Sequence, residues 1–195
     1  MQRQLLIGSV VRFAVAAIIG LQVLPVSAQT TVSELQFSAE RALSRLVAKV
    51  PAARALSKDA VAVLVFPRIS RAGFVFGVQY GEGVLFHDPS EAAHFRDRRP
   101  AGYYRNFGGS WGLQAGAQQF GYALFFMTEP ALAALTNTSG FEIGVGPTVV
   151  VVDQGTAASL TTMNAGTDIY AFIFSQRGLM AGLGLQGNRI TQISR

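Results

Sequence analysis

Cysteine is absent from the 195 residues. That excludes a disulfide framework, a thiolate metal site, a cysteine nucleophile, and a lipid-attachment or palmitoylated cysteine. Charge is scarce as well: Asp, Glu, Lys and Arg make up 14% of the chain, whereas disordered chains are rich in charge and poor in aromatics. Half of the residues are hydrophobic and 14 are Phe, so this is a folded protein. A chain of this length buries roughly 70% of its unfolded surface in one core, and one domain is expected.

Part of the hydrophobicity belongs to the amino terminus. Two positive charges lie in Met1 to Arg12, Phe13 to Leu24 is apolar, and Pro25-Val26-Ser27-Ala28 places small residues before Gln29. This is the pattern of a signal peptide over 1–28, cleaved near Ala28. The competing reading is an uncleaved anchor of about 20 apolar residues, a length nearly reached by counting from Leu5 through Arg12. Processing leaves 29–195 as a single domain. Within it, 29–105 holds 11 Lys or Arg against 7 Asp or Glu, and 106–195 holds 3 against 4, so the basic surface belongs to the first half. A pI of about 10.1 raises nucleic acid as a partner, but an exported protein rarely meets one. An anionic membrane surface is the expected partner.

From Thr31 to Val50 the period is helical: Leu35, Ala39, Ala42, Leu43, Leu46, Val47 and Val50 fall within about 140° of one another. Thr31 and Glu34 have capping-box spacing, and Pro51 ends the helix. Arg41, Arg45 and Lys49 recur every four residues as a basic stripe. Arg54 and Lys58 continue that character into a second short helix, opened at Pro51 or Ala52 and closed at Asp59. Two arrangements follow for the first helix. Its apolar face packs on a sheet, leaving the cations on the wet side, or that face lies in a lipid interface with the cations over headgroups. Packing is the expected one, with the basic side available to lipid. Three such cations near an anionic bilayer contribute about 3 kcal/mol.

After Ala60 the chain reads as short β-prone runs broken by glycine: 61–66, 72–79, 83–87, 103–107, 110–118, 121–127, 141–153, 159–163, 167–174, 179–185 and 189–193. Short helices are expected at 129–135, after Pro130, and at 89–96, after Asp88. Without helical crossovers between the runs the sheet is mostly antiparallel. All 19 glycines after the leader lie between Gly73 and Gly187, which predicts strong bending, with large side chains filling spaces left by glycines. The fold class expected is α+β: amphipathic helices over 29–59, then a Gly-rich, mostly antiparallel, strongly bent sheet or barrel-like core over 60–195.

Few motifs carry chemistry. Gly108-Gly109-Ser110-Trp111-Gly112 matches a nucleophile elbow, but strand-like sequence follows Ser110 and both histidines precede it. Gly182 to Gly187 matches a dinucleotide turn with no room behind it for the helix, strand and acid that turn requires. His87, Glu91 and His94 have spacing that could hold zinc, although HDPSEAAHFRDRRP reads more simply as a solvated loop, and no metal or cofactor is expected. Arg96, Arg98, Arg99 and Arg105 cluster as guanidinium groups suited to phosphate or carboxylate. Arg68 and Arg71 follow Pro67 in an expected turn between two strands. Asn137-Thr138-Ser139 is a glycosylation sequon by pattern alone.

The stretch AVAVLVFPRISRAGFVFGVQYGEG at 60–83 resembles the opening signature of the SYLF-domain family. GGSWGLQAGAQQFGYALFFMTEPALAAL at 108–135, FEIGVGPTVVVVDQG at 141–155 and IYAFIFSQRGLMAGLGLQGNRITQI at 169–193 are similar to its later blocks, in order. The resemblance implies a non-enzymatic protein that binds membrane lipid, notably phosphoinositides in eukaryotic members, some of which also bind actin. It implies lipid contact through a basic amphipathic amino-terminal helix, here Thr31 to Val50 with Arg41, Arg45 and Lys49. The export signal makes actin an improbable partner, and without a lipid-attachment cysteine any membrane contact is non-covalent. The expected function is peripheral binding of anionic phospholipid through Arg41, Arg45, Lys49, Arg54 and Lys58, in the periplasm or on the envelope membrane. The alternatives are a structural or partner-binding envelope protein and, from a third class, a small outer-membrane barrel. Against the barrel, Val149 to Val152 does not alternate and no aromatic ends the chain.

Overall fold

The computed structural model describes residues 31–87, 100–152, 167–178 and 187–195; at 74–75, 110–115 and 178 only the backbone is described. The predicted signal peptide, the helix at 89–96 and the strands at 159–163 and 179–185 lie outside the described residues.

Helix α1 (Val32–Lys49) begins where its local chemistry dictates. The Thr31 hydroxyl accepts from the Glu34 N–H at 3.2 Å, and the Glu34 carboxylate accepts from the Thr31 N–H at 3.1 Å, satisfying two donors that a helix start leaves free. At the other end Val50 is extended, as a residue before proline prefers, and Pro51 opens α2 (Pro51–Asp59). Arg54 secures this corner. Its Nε and Nη2 donate to the carbonyls of Val47 at 3.2 Å and Ala48 at 2.8 Å, which a helix end cannot satisfy internally.

The described strands are β1 (Ala62–His87), β2 (Pro100–Phe126), β3 (Phe141–Glu142), β4 (Val149–Val152), β5 (Ile169–Gly178) and β6 (Asn188–Ile193), with α3 (Glu129–Thr136) after β2. They form one sheet in the order β3-β6-β2-β5-β4, with β1 also on β2. Every pairing is antiparallel except β4 with β5. β2 is the organising strand. It pairs with β1 from end to end, and its other edge takes β5 along 118–126 and β6 along 103–108.

Three short strands were expected over 61–87 and three over 103–127; each set is instead one continuous strand, so the glycines do not interrupt pairing. The predicted turn at Pro67 is also absent. Pro67 sits in β1 at a register shift between Phe66 and Ile69, a position where a missing N–H is tolerated. The run expected over 141–153 divides into β3 and β4, because Gly144 and Gly146 turn the chain with φ of 97° and 92°, a region open to glycine.

Within β1 the glycines permit the ribbon to curl back onto itself. A Cβ on Gly83 would stand 2.7 Å from both the Phe66 ring and the Val65 carbonyl oxygen, and one on Gly81 would stand 2.6 Å from the Arg68 carbonyl oxygen. Such approaches are open only to a residue without a side chain. The expected bending and filling of glycine spaces by large residues are both present, with Phe66 over Gly83 and Phe174 over Gly121.

The curl creates two cores. One contains Leu64, Phe66, Leu85, Tyr104, Tyr122, Leu124 and Phe126 from β1 and β2, together with Leu132 and Leu135 of α3. The other lies on the opposite face, where Val63, Val65, Val84, Phe86 and Phe125 meet Leu35, Ala39, Leu43 and Leu46 of α1 and Leu56 of α2. Alternation along the strands assigns neighbours to opposite cores, Leu124 to the first and Phe125 to the second. The described members of both cores lie between residues 35 and 190, so a chain starting at Gln29 contains them all.

Candidate functional site

The packing of α1 decides which of its sides is available. Leu35, Ala39, Leu43 and Leu46 are at most 5% exposed, and Ala42, Val47 and Val50 pack against the same core. The apolar face therefore rests on the sheet, the first of the two arrangements anticipated. Arg41, Arg45 and Lys49 occupy the exposed side, and among the described residues none of the three forms an ion pair. Phe37 stands with them, 53% exposed, with the Arg41 guanidinium 5.3 Å from its ring centroid. The apolar period hides Phe37, because it falls on the polar side; its spacing of four from Arg41 is the one sequence signal that marks it.

The other predicted contacts divide. Lys58 is exposed on α2, whereas Arg54 is committed to the end of α1. Arg96, Arg98 and Arg99 lie outside the described residues. Arg105 is on β2, 4.0 Å from Glu82 and 5.8 Å from the Tyr80 ring centroid, and Glu82 also pairs with Arg195. Arg71, expected in a surface turn, is 7% exposed within β1. His87 is exposed at the end of β1, Glu91 and His94 lie outside the described residues, and no cluster of metal-ligating side chains occurs among the described residues. A shallow cleft of about 430 Å³ lies between Pro100–Tyr103 and Gln192–Arg195.

A group that sequence patterning missed lies inside the curl. Gln79, Asn106, Gln118 and Asn188 are 4%, 0%, 6% and 3% exposed. Gln79 and Asn188 face Gly108 from either side, and Asn106 faces Gly81. The Gln79 and Asn188 amide nitrogens and both Asn106 amide atoms have no hydrogen-bond partner among the described residues. Neutral amides at this depth furnish neither a nucleophile nor a strong general base.

Asp168 accepts three hydrogen bonds from two residues. The Thr148 N–H donates to it at 2.9 Å, the Thr148 hydroxyl at 2.8 Å and the Thr128 hydroxyl at 3.4 Å, joining the starts of β4, β5 and α3. The Thr148 backbone bond, then its hydroxyl, hold the pKa below the ordinary carboxylate value. The folded pKa is depressed, so the stabilisation is present above the unfolded value of about 3.9 and is lost as pH falls through the folded value. Asp168→Asn should therefore melt lower than the parent at neutral pH, and the gap should close on acidification below about pH 4. Thermal melts of both proteins across that interval check this; a constant gap would separate Asp168 from the acid response.

The family model for Ysc84, described as Las17-binding protein actin regulator, matches residues 107–194. That match agrees, over residues 107–194, with the SYLF-domain resemblance read from the sequence. The matched stretch begins within β2, at Phe107, and runs through β6, while α1, α2 and β1 precede it. The SYLF family is a binding-domain family, associated with lipid and actin and not known for catalysis. Comparison with curated proteins gives no match. Among the described residues no helix is long and apolar enough to cross a membrane.

Proposed function

We propose that the protein is a non-catalytic, peripheral lipid-binding protein of the cell envelope that recognises anionic phospholipid through the outer side of α1. One observation carries this reading: the apolar side of α1 is buried in the sheet while Arg41, Arg45 and Lys49, with Phe37 beside them, face outward without ion pairs among the described residues. A docked helix presents these cations at fixed spacing, so the headgroups meet a preformed stripe and little ordering is required on binding. Lys58 adds charge on the neighbouring helix, and Arg54 acts as the clasp of the corner. The predicted export signal supports the envelope as the setting and makes actin an improbable partner.

The processed chain, residues 29–195, should bind vesicles of phosphatidylcholine mixed with phosphatidylglycerol and should bind pure phosphatidylcholine far more weakly. Charge reversal at Arg41, Arg45 and Lys49 together should weaken binding to the anionic vesicles about a hundredfold or more, given about 1 kcal/mol for each cation. All three positions are exposed, so the melting temperature should hold. Unchanged binding would remove α1 from the account. The second reading is a protein-partner-binding role, favoured by the match over 107–194 to a family described as a Las17-binding actin regulator; binding that ignores lipid charge and salt would select it.

A further inference from the structure

The face of β1 that α1 and α2 cover continues beyond them. Along it the side chains follow as Phe76, Val78, Tyr80, Glu82, Val84 and Phe86. Val84 and Phe86 are buried beneath the helices, but Phe76, Val78 and Tyr80 are 64%, 53% and 44% exposed, and Phe107, the ladder partner of Tyr80, is 55% exposed. Single exposed apolar residues are ordinary, whereas a contiguous row of this kind marks a contact surface.

Two features select a bilayer as the occupant. The first is continuity. The strand that carries the row continues under the helices at Val84 and Phe86, so the row and α1 lie on the same side of the sheet. The second is the chemistry of the rim. The Tyr80 hydroxyl donates to Glu82 at 2.9 Å, and the Arg105 guanidinium lies over the Tyr80 ring, giving an apolar body with a polar tip, the character of side chains that settle at the lipid–water boundary. Glu82 pairs with both Arg105 and Arg195, so the carboxylate beside the row does not stand as an unpaired negative charge against anionic headgroups. We propose that Phe76, Val78, Tyr80 and Phe107 form an apolar contact that enters the headgroup boundary beside the cations of α1. The proposal rests on the lipid-binding reading above and adds to it a component that salt does not screen.

The test separates the two. With the processed chain and phosphatidylcholine–phosphatidylglycerol vesicles, salt should remove the part of binding due to α1 and leave a residual part due to the row. Val78→Thr combined with Phe107→Thr, which keeps strand preference at two exposed positions, should abolish that residue and weaken low-salt binding about tenfold. Because the chain has no cysteine, Val78→Cys gives a single thiol for an environment-sensitive fluorophore, whose emission should shift to the blue on anionic vesicles. Full binding by the double-threonine variant with no fluorophore shift would overturn the row as a bilayer contact and leave α1 standing. Failure of the parent chain to bind any vesicle would overturn both. Concentration-dependent self-association that the double-threonine variant abolishes, without a vesicle-induced shift, would assign the row to a second copy of the chain and overturn the proposal.

Discussion

Gly83→Val should lower the unfolding free energy by about 3 kcal/mol, a melting temperature roughly 6–12 °C lower for a chain of this size. A Cβ there would stand 2.7 Å from the Phe66 ring and equally close to the Val65 carbonyl oxygen. The ring can rotate, but the oxygen belongs to the backbone of a buried strand and cannot retreat without breaking the curl. Gly109→Thr is the matched control, since nothing lies within 4 Å of the Cβ it would add, and a β-branched residue suits a strand. Its melting temperature should stay within a degree or two or rise. Circular dichroism melts of the two variants against the parent decide the matter. Equal stability of Gly83→Val and the parent would mean that the two ends of β1 do not pack as described.

Leu43→Ala should cost about 3 kcal/mol of stability while leaving vesicle affinity unchanged. Leu43 is 1% exposed in the centre of the buried side of α1, so the truncation opens a cavity between helix and sheet. The direction of the binding result tells how α1 acts. A helix that works while docked keeps its outer cations in place after a core truncation, and affinity holds. A helix that must leave the sheet to lay its apolar side in lipid would be released more easily, and affinity would rise as stability fell. Vesicle co-sedimentation and thermal melts on the same preparation give both numbers; tighter binding would refute the docked reading.

Features whose causes are local were legible in the sequence. The limits of α1 follow from Thr31, Glu34 and Pro51, all within a turn of the boundary they set, and the side of α1 that is buried follows from a period of 3.6. Features set across the sheet were not legible. Gly83 reads as a break in a strand until Phe66, distant in sequence, is seen lying on it. Arg105 groups with Arg96, Arg98 and Arg99 by proximity in the chain, yet its described partners, Glu82 and Tyr80, are assigned by the register of β1 on β2. Arg54 reads as one more surface cation because its carbonyl partners precede the corner it closes. The parallel pairing of β4 with β5 leaves no pattern in a four-valine run, and the buried amides of Gln79, Asn106 and Asn188 are polar residues on strands whose alternation alone cannot say which face is enclosed.

The order of pairing in the sheet also governs when the fold can be completed. The β1–β2 ladder opens with Phe86 opposite Pro100 and ends with Ala62 opposite Phe126, so it can zip from the end where its partners are nearest in sequence, with each further pair joining residues of greater separation at a small added entropic cost. The edge of β2 along 103–108 is different. Its partner is β6, and Tyr103 waits for Ile193, 90 positions further along the chain. Contacts of such separation slow folding. A chain made or translocated amino terminus first therefore travels with that edge unpaired until residues 188–193 have followed.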